Sequence, residues 1–268
     1  MISPNGQIPV DVPLDPAGDT DTGQAAIIVR RRIRQAAYVV DWHRHRRHQL
    51  VYAAKGTLLV ETPTGHWVVP PARAVWMPSE TPHKVTARGA VEMRNVYLDP
   101  DQWDDLPQAC LVVEVSALLR EILSELADRT GTGEAPLADL PTRNLWRVMA
   151  DQIKGAPTAS LHLPLSNERR LKPILDALVA SPGDRRTLAD WASASAASER
   201  TLARLFTRET GLNFREWRTR ARLLSALDQL GRGNSVAEVA YDLGYDSPSA
   251  FIARFREELG KTPKRYFE

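Results

Sequence analysis

The stretch that decides the fold runs Ala240-Tyr-Asp-Leu-Gly244-Tyr-Asp-Ser247-Pro-Ser-Ala-Phe251-Ile-Ala-Arg-Phe255-Arg-Glu-Glu-Leu-Gly260-Lys-Thr-Pro263-Lys-Arg-Tyr266. Ala240 is small where two helices must cross, and Gly244 supplies the turn between them. Ser247 and Pro248 give the next helix an N-cap and a first-turn proline. Phe251 and Phe255 share its inner face, and Gly260 ends it. The same plan occurs earlier in the chain. Leu188-Ala-Asp-Trp-Ala192 resembles Val236-Ala-Glu-Val-Ala240, and Leu202, Phe206, Gly211 and Trp217 match Phe251, Phe255, Gly260 and Tyr266. Ser198 caps the equivalent second helix. The last hundred or so residues therefore hold a helix-turn-helix unit twice.

On the second helix of the first copy, Leu202, Leu205 and Phe206 face inward, and Arg200, Arg204 and Arg208 form an outward stripe. Arginine pairs bidentately with guanine O6 and N7, and its neighbours neutralise phosphates. An arginine stripe alone is usually a solvated face; inside a duplicated helix-turn-helix it reads as a DNA-facing one.

The run from Ala240 to Tyr266 resembles the signature of AraC/XylS-type transcriptional regulators, a likeness that extends over the last hundred or so residues. The resemblance implies two helix-turn-helix subdomains joined by a long helix, here Phe214–Leu230, with recognition helices in successive major grooves of promoter DNA. It also implies a homodimer, with RNA polymerase as a possible further partner. Carried over by position, Arg200, Thr201 and Arg204 are the base-reading places of the first unit, and Ser249, Ala250 and Ala253 those of the second. Arg208, Ser247 and Arg254 complete the expected DNA-contacting set. Ala253 stands where arginine is frequent in the family, Glu257 matches Arg208, and Phe267 replaces another frequent arginine. The first unit is therefore expected to carry most direct readout, and the second to position the protein on the backbone.

The rest of the chain has a different texture. It is 268 residues long, with 35 Lys and Arg against 33 Asp and Glu, and 43% apolar residues. That length suggests two domains, and that composition a packed core in each. The small basic excess lies after Leu165 and permits a polyanionic partner. One cysteine, Cys110, leaves no internal disulfide and no cysteine-rich zinc site. No apolar run is long enough for a membrane helix. The first residues have neither the basic nor the apolar region of a secretory signal, so the expectation is a soluble, cytoplasmic protein with no membrane contact. Residues 1–24, with four prolines, four aspartates and no Lys or Arg, read as a flexible tail.

Between residues 25 and 100 short β-rich runs alternate with turns: Gln49–Ala53, Thr57–Glu61, His66–Val69 and Val91–Leu98, with a hairpin signal at Thr62-Pro-Thr-Gly65. This predicts a small all-β barrel or sandwich. Arg30–Arg34 reads as a solvated edge around Ile33. Residues 101–160 read as helical, over Leu111–Ala127 and Leu137–Ile153, serving dimerisation or packing against the barrel, with a linker at Gly155–Ser160. Residues 165–268 form the DNA-binding domain.

Three histidines cluster at His43, His45 and His48, and a fourth is His83. On a regular strand His43, His45 and Gln49 would share a face, with His48 turned away. If His83 lies on a neighbouring strand, His43, His45, Gln49 and His83 converge, and imidazoles suit a divalent transition metal. The pattern resembles the cupin motif, and 42–98 is similar to the cupin sensor domains fused to some AraC-type regulators, with WHRHRRHQLVYAAKG and VPPARAVWMPSETPHKV the matching stretches. Gln49 replaces the usual carboxylate, which removes a general base and disfavours metal-dependent catalysis. Trp42, Tyr52, Trp67 and Trp76 are candidate walls of an effector pocket. His66 and His162 have no partner in the sequence and read as surface residues. The favoured reading is a transcriptional regulator responding to a small molecule or metal in a cupin-like domain, with no cofactor required for DNA binding. The rival is a metal-dependent cupin enzyme joined to a DNA-binding module.

Overall fold

The computed structural model describes residues 26–103, 105–130, 140–158 and 161–267; the expected tail at 1–24 lies outside them. The described residues divide into two compact units, one drawn from Met1–Pro63 and Val69–Ser160, the other from Thr64–Val68 and Leu161–Glu268.

The first unit is built on two antiparallel sheets. One contains β1 (Ile27–Arg34), β8 (Val91–Leu98), β3 (His48–Lys55), β6 (Arg73–Met77) and β9 (Leu111–Glu114), in that order. The other contributes β4 (Leu58–Thr62), β7 (His83–Ala87) and β2 (Tyr38–His43), paired in that order. Alternation divides the first sheet into two faces. Leu50, Tyr52, Ala74, Trp76, Val96 and Leu98 point one way, into an apolar cluster with Leu119, Ile122, Leu123 and Leu126 of α1 (Ala117–Thr130) and Trp146, Met149 and Ile153 of α2 (Leu140–Gly155). Gln49 and Tyr97, directly opposite each other in register, point the other way. Both helices thus pack on the sheet, while Leu118 and Val148 remain exposed on them.

The helical expectation for Leu111–Ala127 needs correction. Leu111-Val-Val-Glu114 is not the start of a helix but strand β9, paired with β6 from Arg73↔Glu114 to Trp76↔Leu111. The helix begins after Ser116, whose hydroxyl accepts from the Leu119 N–H at 3.1 Å as an N-cap. The barrel therefore takes a strand from beyond residue 100. The Arg30–Arg34 run is part of β1, with Ile33 49% exposed at its end.

The second unit pairs β5 (Gly65–Val69) with the short β10 (His162–Pro164), a strand that its three residues do not announce in sequence. Its helices are α3 (Lys172–Ala180), α4 (Leu188–Ala194), α5 (Glu199–Thr210), α6 (Phe214–Gly231), α7 (Val236–Asp242), α8 (Pro248–Leu259) and α9 (Pro263–Phe267). Capping sets their starts. Thr187/Asp190, Asn213/Glu216 and Ser235/Glu238 form reciprocal capping boxes on α4, α6 and α7. Ser198 and Ser247 cap α5 and α8, and left-handed Gly211 and Gly260 end them. The two copies pack alike. Phe206 meets Trp217 edge-on at 6.2 Å and Phe255 meets Tyr266 at 5.6 Å. The turn inside each copy needs a left-handed residue. Gly244 supplies it at φ +76° in the second, but Ala196 occupies it at φ +49° in the first. His162 is not a free surface residue: its ring stacks on Trp67 at 3.9 Å, and its Nε2 is buried without a partner.

Candidate functional site

The histidine cluster is assembled by an irregularity in β2. Val40 pairs with Val85 and His43 with His83, so the register slips by one residue between them. Such a bulge re-aims the side chain that follows it, and here it brings the His43 and His83 rings to 4.1 Å. His45 lies not on a strand with His43 but in the turn before β3, its ring 5.2 Å from that of His83. All three are buried, and one ring nitrogen from each lies within 4.8 Å of the others.

Hydrogen bonds fix which nitrogens these are. Each Nδ1 sits 2.8 Å from a backbone carbonyl two residues away: His43 on Asp41, His45 on Arg47, His83 on Thr81. A carbonyl only accepts, so each Nδ1 carries a proton, and on a neutral ring Nε2 then presents a lone pair. The Nε2 of His83 is buried with no hydrogen-bond partner. Burial, reinforced by neighbouring His43 and His45, holds the His83 pKa well below the usual histidine range, so that ring is neutral at pH 7. Three converging lone pairs, each ring held by a carbonyl at its far nitrogen, are the arrangement that divalent transition metals take.

Gln49 joins the group from β3. Its Oε1 lies 3.0 Å from His45 Nε2, and its NH2 donates to the Tyr97 hydroxyl at 3.1 Å. With the His45 proton on Nδ1, its Nε2 is an acceptor, so an amide turned end for end from this placement would donate its NH2 to the imidazole and accept from the phenol. Tyr97 was absent from the expected set, although its place opposite Gln49 puts it on the same face; its ring is 5.3 Å from that of His45. Among the described residues no carboxylate joins the cluster.

The four aromatic residues expected to line a pocket do not gather here. Tyr52 and Trp76 face the helices, on the other side of the strands from Gln49. Trp67 belongs to the second unit, against His162. Trp42 lies in the β2 bulge, partly buried. His48 also points away: its Nδ1 accepts from the Ser79 N–H at 2.9 Å, and burial lowers its pKa.

The expected DNA-facing residues split into two groups. Arg200 and Arg204 are exposed on α5, and Thr201 is partly buried with its hydroxyl 2.8 Å from that of the capping Ser198. Arg208 is exposed, but Glu209 holds its guanidinium at 2.6 Å. On α8, Ser249, Ala250 and Ala253 carry no charge, and Ser249 and Ala250 are exposed. Ser247 is engaged in capping, accepting from the Ala250 N–H at 3.2 Å. Arg254 is drawn to Glu257 at 2.9 Å and Glu258 at 3.6 Å. The expected three-arginine stripe thus keeps two guanidiniums clear of carboxylates, Arg200 and Arg204.

Comparison with known proteins agrees with both units. The family described as "AraC-like ligand binding domain" matches residues 26–147, and the family described as "Helix-turn-helix domain" matches 191–268. The chain is 38% identical over 224 residues to the HTH-type transcriptional regulator NimR of Escherichia coli, covering 84% of this chain and 81% of that one. It is 33% identical over 123 residues to the HTH-type transcriptional regulator RipA of Corynebacterium glutamicum, covering 46% of this chain and 35% of that one. Among solved structures it is similar to ToxT from Vibrio cholerae, with a TM-score of 0.38 and 12% identity over 90% of this chain and 97% of that one. NimR and RipA are both named as transcriptional regulators, which favours the regulator over the cupin-enzyme rival. The chain belongs to the AraC family of DNA-binding transcriptional regulators, with a ligand-binding domain ahead of its helix-turn-helix domain.

Proposed function

We propose that this regulator controls transcription in response to an effector recognised at the His43–His45–His83 cluster, and that a divalent transition metal forms part of that site. The observation that carries the reading is the shared tautomer: three Nδ1 protons committed to carbonyls, three Nε2 lone pairs converging, and the one on His83 buried without a partner. A lone pair left unpaired in a buried site, as on His83, is costly, and a cation relieves that cost. His43, His45 and His83 would hold the ion, with the Gln49 amide and Tyr97 hydroxyl beside it. The bound ion would supply a positive charge that an effector recognises. The effector influences transcription only if it prefers one global state of the protein over another.

Promoter DNA is the second partner. Arg200 and Arg204 carry direct base readout, and the uncharged outer face of α8 makes the second helix-turn-helix mainly a positioning element. The exposed Leu118 and Val148 of α1 and α2 suit a homodimer contact. Among the described residues no helix is long and apolar enough to cross a membrane; action on promoter DNA places the protein in the cytoplasm, where RNA polymerase is a further partner.

Elemental analysis of tag-free protein, beside a His43→Ala/His45→Ala variant, tests the metal. The expected result is near-stoichiometric metal that the variant lacks. Absence of metal from both proteins after incubation with divalent ions would overturn the metal reading and leave a purely organic effector.

A further inference from the structure

Beside the first recognition helix lies a groove of about 770 Å³ lined by Arg169, Arg170, Trp191, Ala196, Ser198 and Thr201 among others. No acidic side chain lines it. Arg169 and Arg170 stand on its rim, just ahead of α3. The nearest carboxylate in sequence, Glu168, is engaged with the backbone N–H groups of Arg170 and Leu171 at 2.8 and 2.9 Å. The opposite wall is the N-terminal turn of the twelve-residue α5, the positive end of its dipole, whose one carboxylate, the exposed Glu199, is not among the lining residues. Trp191 is 6% exposed, pinned by the Arg186 guanidinium 3.6 Å above its ring, and its indole N–H is buried without an acceptor. Thr201 makes the groove continuous with the face that carries Arg200 and Arg204.

Two uncommitted guanidiniums and a helix N-terminus around a groove with no acidic lining residue select an anion. Its continuity with the recognition helix identifies the anion. We propose that Arg169 and Arg170 clamp a backbone phosphate of the DNA strand that flanks the first recognition helix. The assignment rests on the DNA-binding reading above and extends it to residues outside both helix-turn-helix motifs. These arginines act on affinity and register, in division of labour with Arg204, which acts on sequence.

The test is the salt dependence of binding by the full chain, measured by fluorescence anisotropy on a random-sequence duplex and on an operator selected from a random pool. Each neutralised phosphate contributes about 0.9 to the slope of log affinity against log salt. Arg169→Ala/Arg170→Ala should lower that slope by about 0.9 for each phosphate no longer neutralised, and weaken both duplexes by the same factor. Arg169→Lys/Arg170→Lys, which keeps the charge, should restore most of the slope. An unchanged slope in the alanine variant would overturn the clamp, as would a loss confined to the selected operator. So would a lysine variant as impaired as the alanine one with a lowered melting temperature, since that marks a structural role. A rise in melting temperature with inorganic phosphate, joined to an unchanged slope, would instead show a pocket for a free anion and overturn it too. If the wild-type chain bound neither duplex, the DNA-binding reading itself would fail, an outcome distinct from a wild-type slope that the variant leaves intact.

Discussion

Gly244→Ala is the substitution whose cost the structure defines most closely, because the same fold contains its own controls. Gly244 turns the chain between α7 and α8 at φ +76°, and an added Cβ would lie 2.7 Å from the carbonyl oxygen of Gly183. Gly260 ends α8 at a matching φ of +75°, but a Cβ there meets nothing within 4 Å. Both substitutions put an L-residue in the left-handed region, at about 1–2 kcal/mol. Both also stiffen the unfolded chain, which offsets about 0.4–1 kcal/mol of that. Gly260→Ala should therefore cost about 1 kcal/mol. Gly244→Ala adds a clash with backbone, and overpacking of this kind costs a further 1–3 kcal/mol or so. Its total is about 2–4 kcal/mol. The reverse change, Ala196→Gly at the equivalent turn of the first copy, should stabilise by about 1 kcal/mol as the left-handed penalty is lifted. With two units in one chain a melting temperature does not isolate the opening of this one turn. Amide hydrogen exchange read by mass spectrometry over 236–259 reports local opening directly. Gly244→Ala should raise the opening equilibrium at least about tenfold above Gly260→Ala, the equivalent of about 1.4 kcal/mol. Equal exchange in the two variants would refute the steric argument and leave conformational strain as the whole effect.

Three further outcomes can be checked. Burial on Trp67 pushes the His162 pKa down to about 4. The unfolded chain, with an ordinary histidine near 6.5, therefore binds more protons between those values. The stability is complete above pH 6.5 and declines toward pH 4. After allowance for partial exposure the loss is about 1–2 kcal/mol; His162→Gln should narrow the gap between denaturation midpoints at about pH 7 and pH 4.5, and an unchanged gap would contradict the assignment. Arg204→Ala should cost about 1–3 kcal/mol on a selected operator and relax specificity at one position, with little change in salt slope. Unchanged specificity there, together with relaxed specificity on altering Ser249 or Ala250, would reverse the roles of the two recognition helices. Gln49→Glu should tighten divalent metal at least about tenfold in competition with a chelator, because it adds an anionic ligand beside His45; no gain would place the ion away from Gln49.

The helix-turn-helix unit was legible in sequence because its determinants are local. Ser198, Ser247, Gly211 and Gly260 cap helices within four residues of themselves, and the repeated Phe206/Trp217 and Phe255/Tyr266 pairs show which faces are buried. The barrel was legible in its strands but less so in its edges. Leu111-Val-Val-Glu114 is an apolar run whose helical or extended state depends on pairing with Arg73–Trp76, far away in sequence. The choice of His43, His45 and His83 came from residue type and spacing. Their convergence depends on the β2 bulge, which no local signal announces. Alternation along β3 did hold information left unused: Tyr52 is an odd number of positions from Gln49 and so faces away from it. The partnering of Arg208 by Glu209 and of Arg254 by Glu257 and Glu258 depends on side-chain reach rather than on helical phase.

The three carbonyl-held imidazoles bear on how this regulator responds. Each ring is already oriented with its Nδ1 on a carbonyl, so an ion arriving there would have the Gln49 contact at His45 Nε2 to displace and little else to rearrange. A ligand shifts a conformational equilibrium only by its preference for one state, and a site complete before occupation gives the bare ion small scope for such a preference. The cluster is suited to be a standing platform that stays loaded while conditions vary, and the variable signal is then the molecule that docks on it.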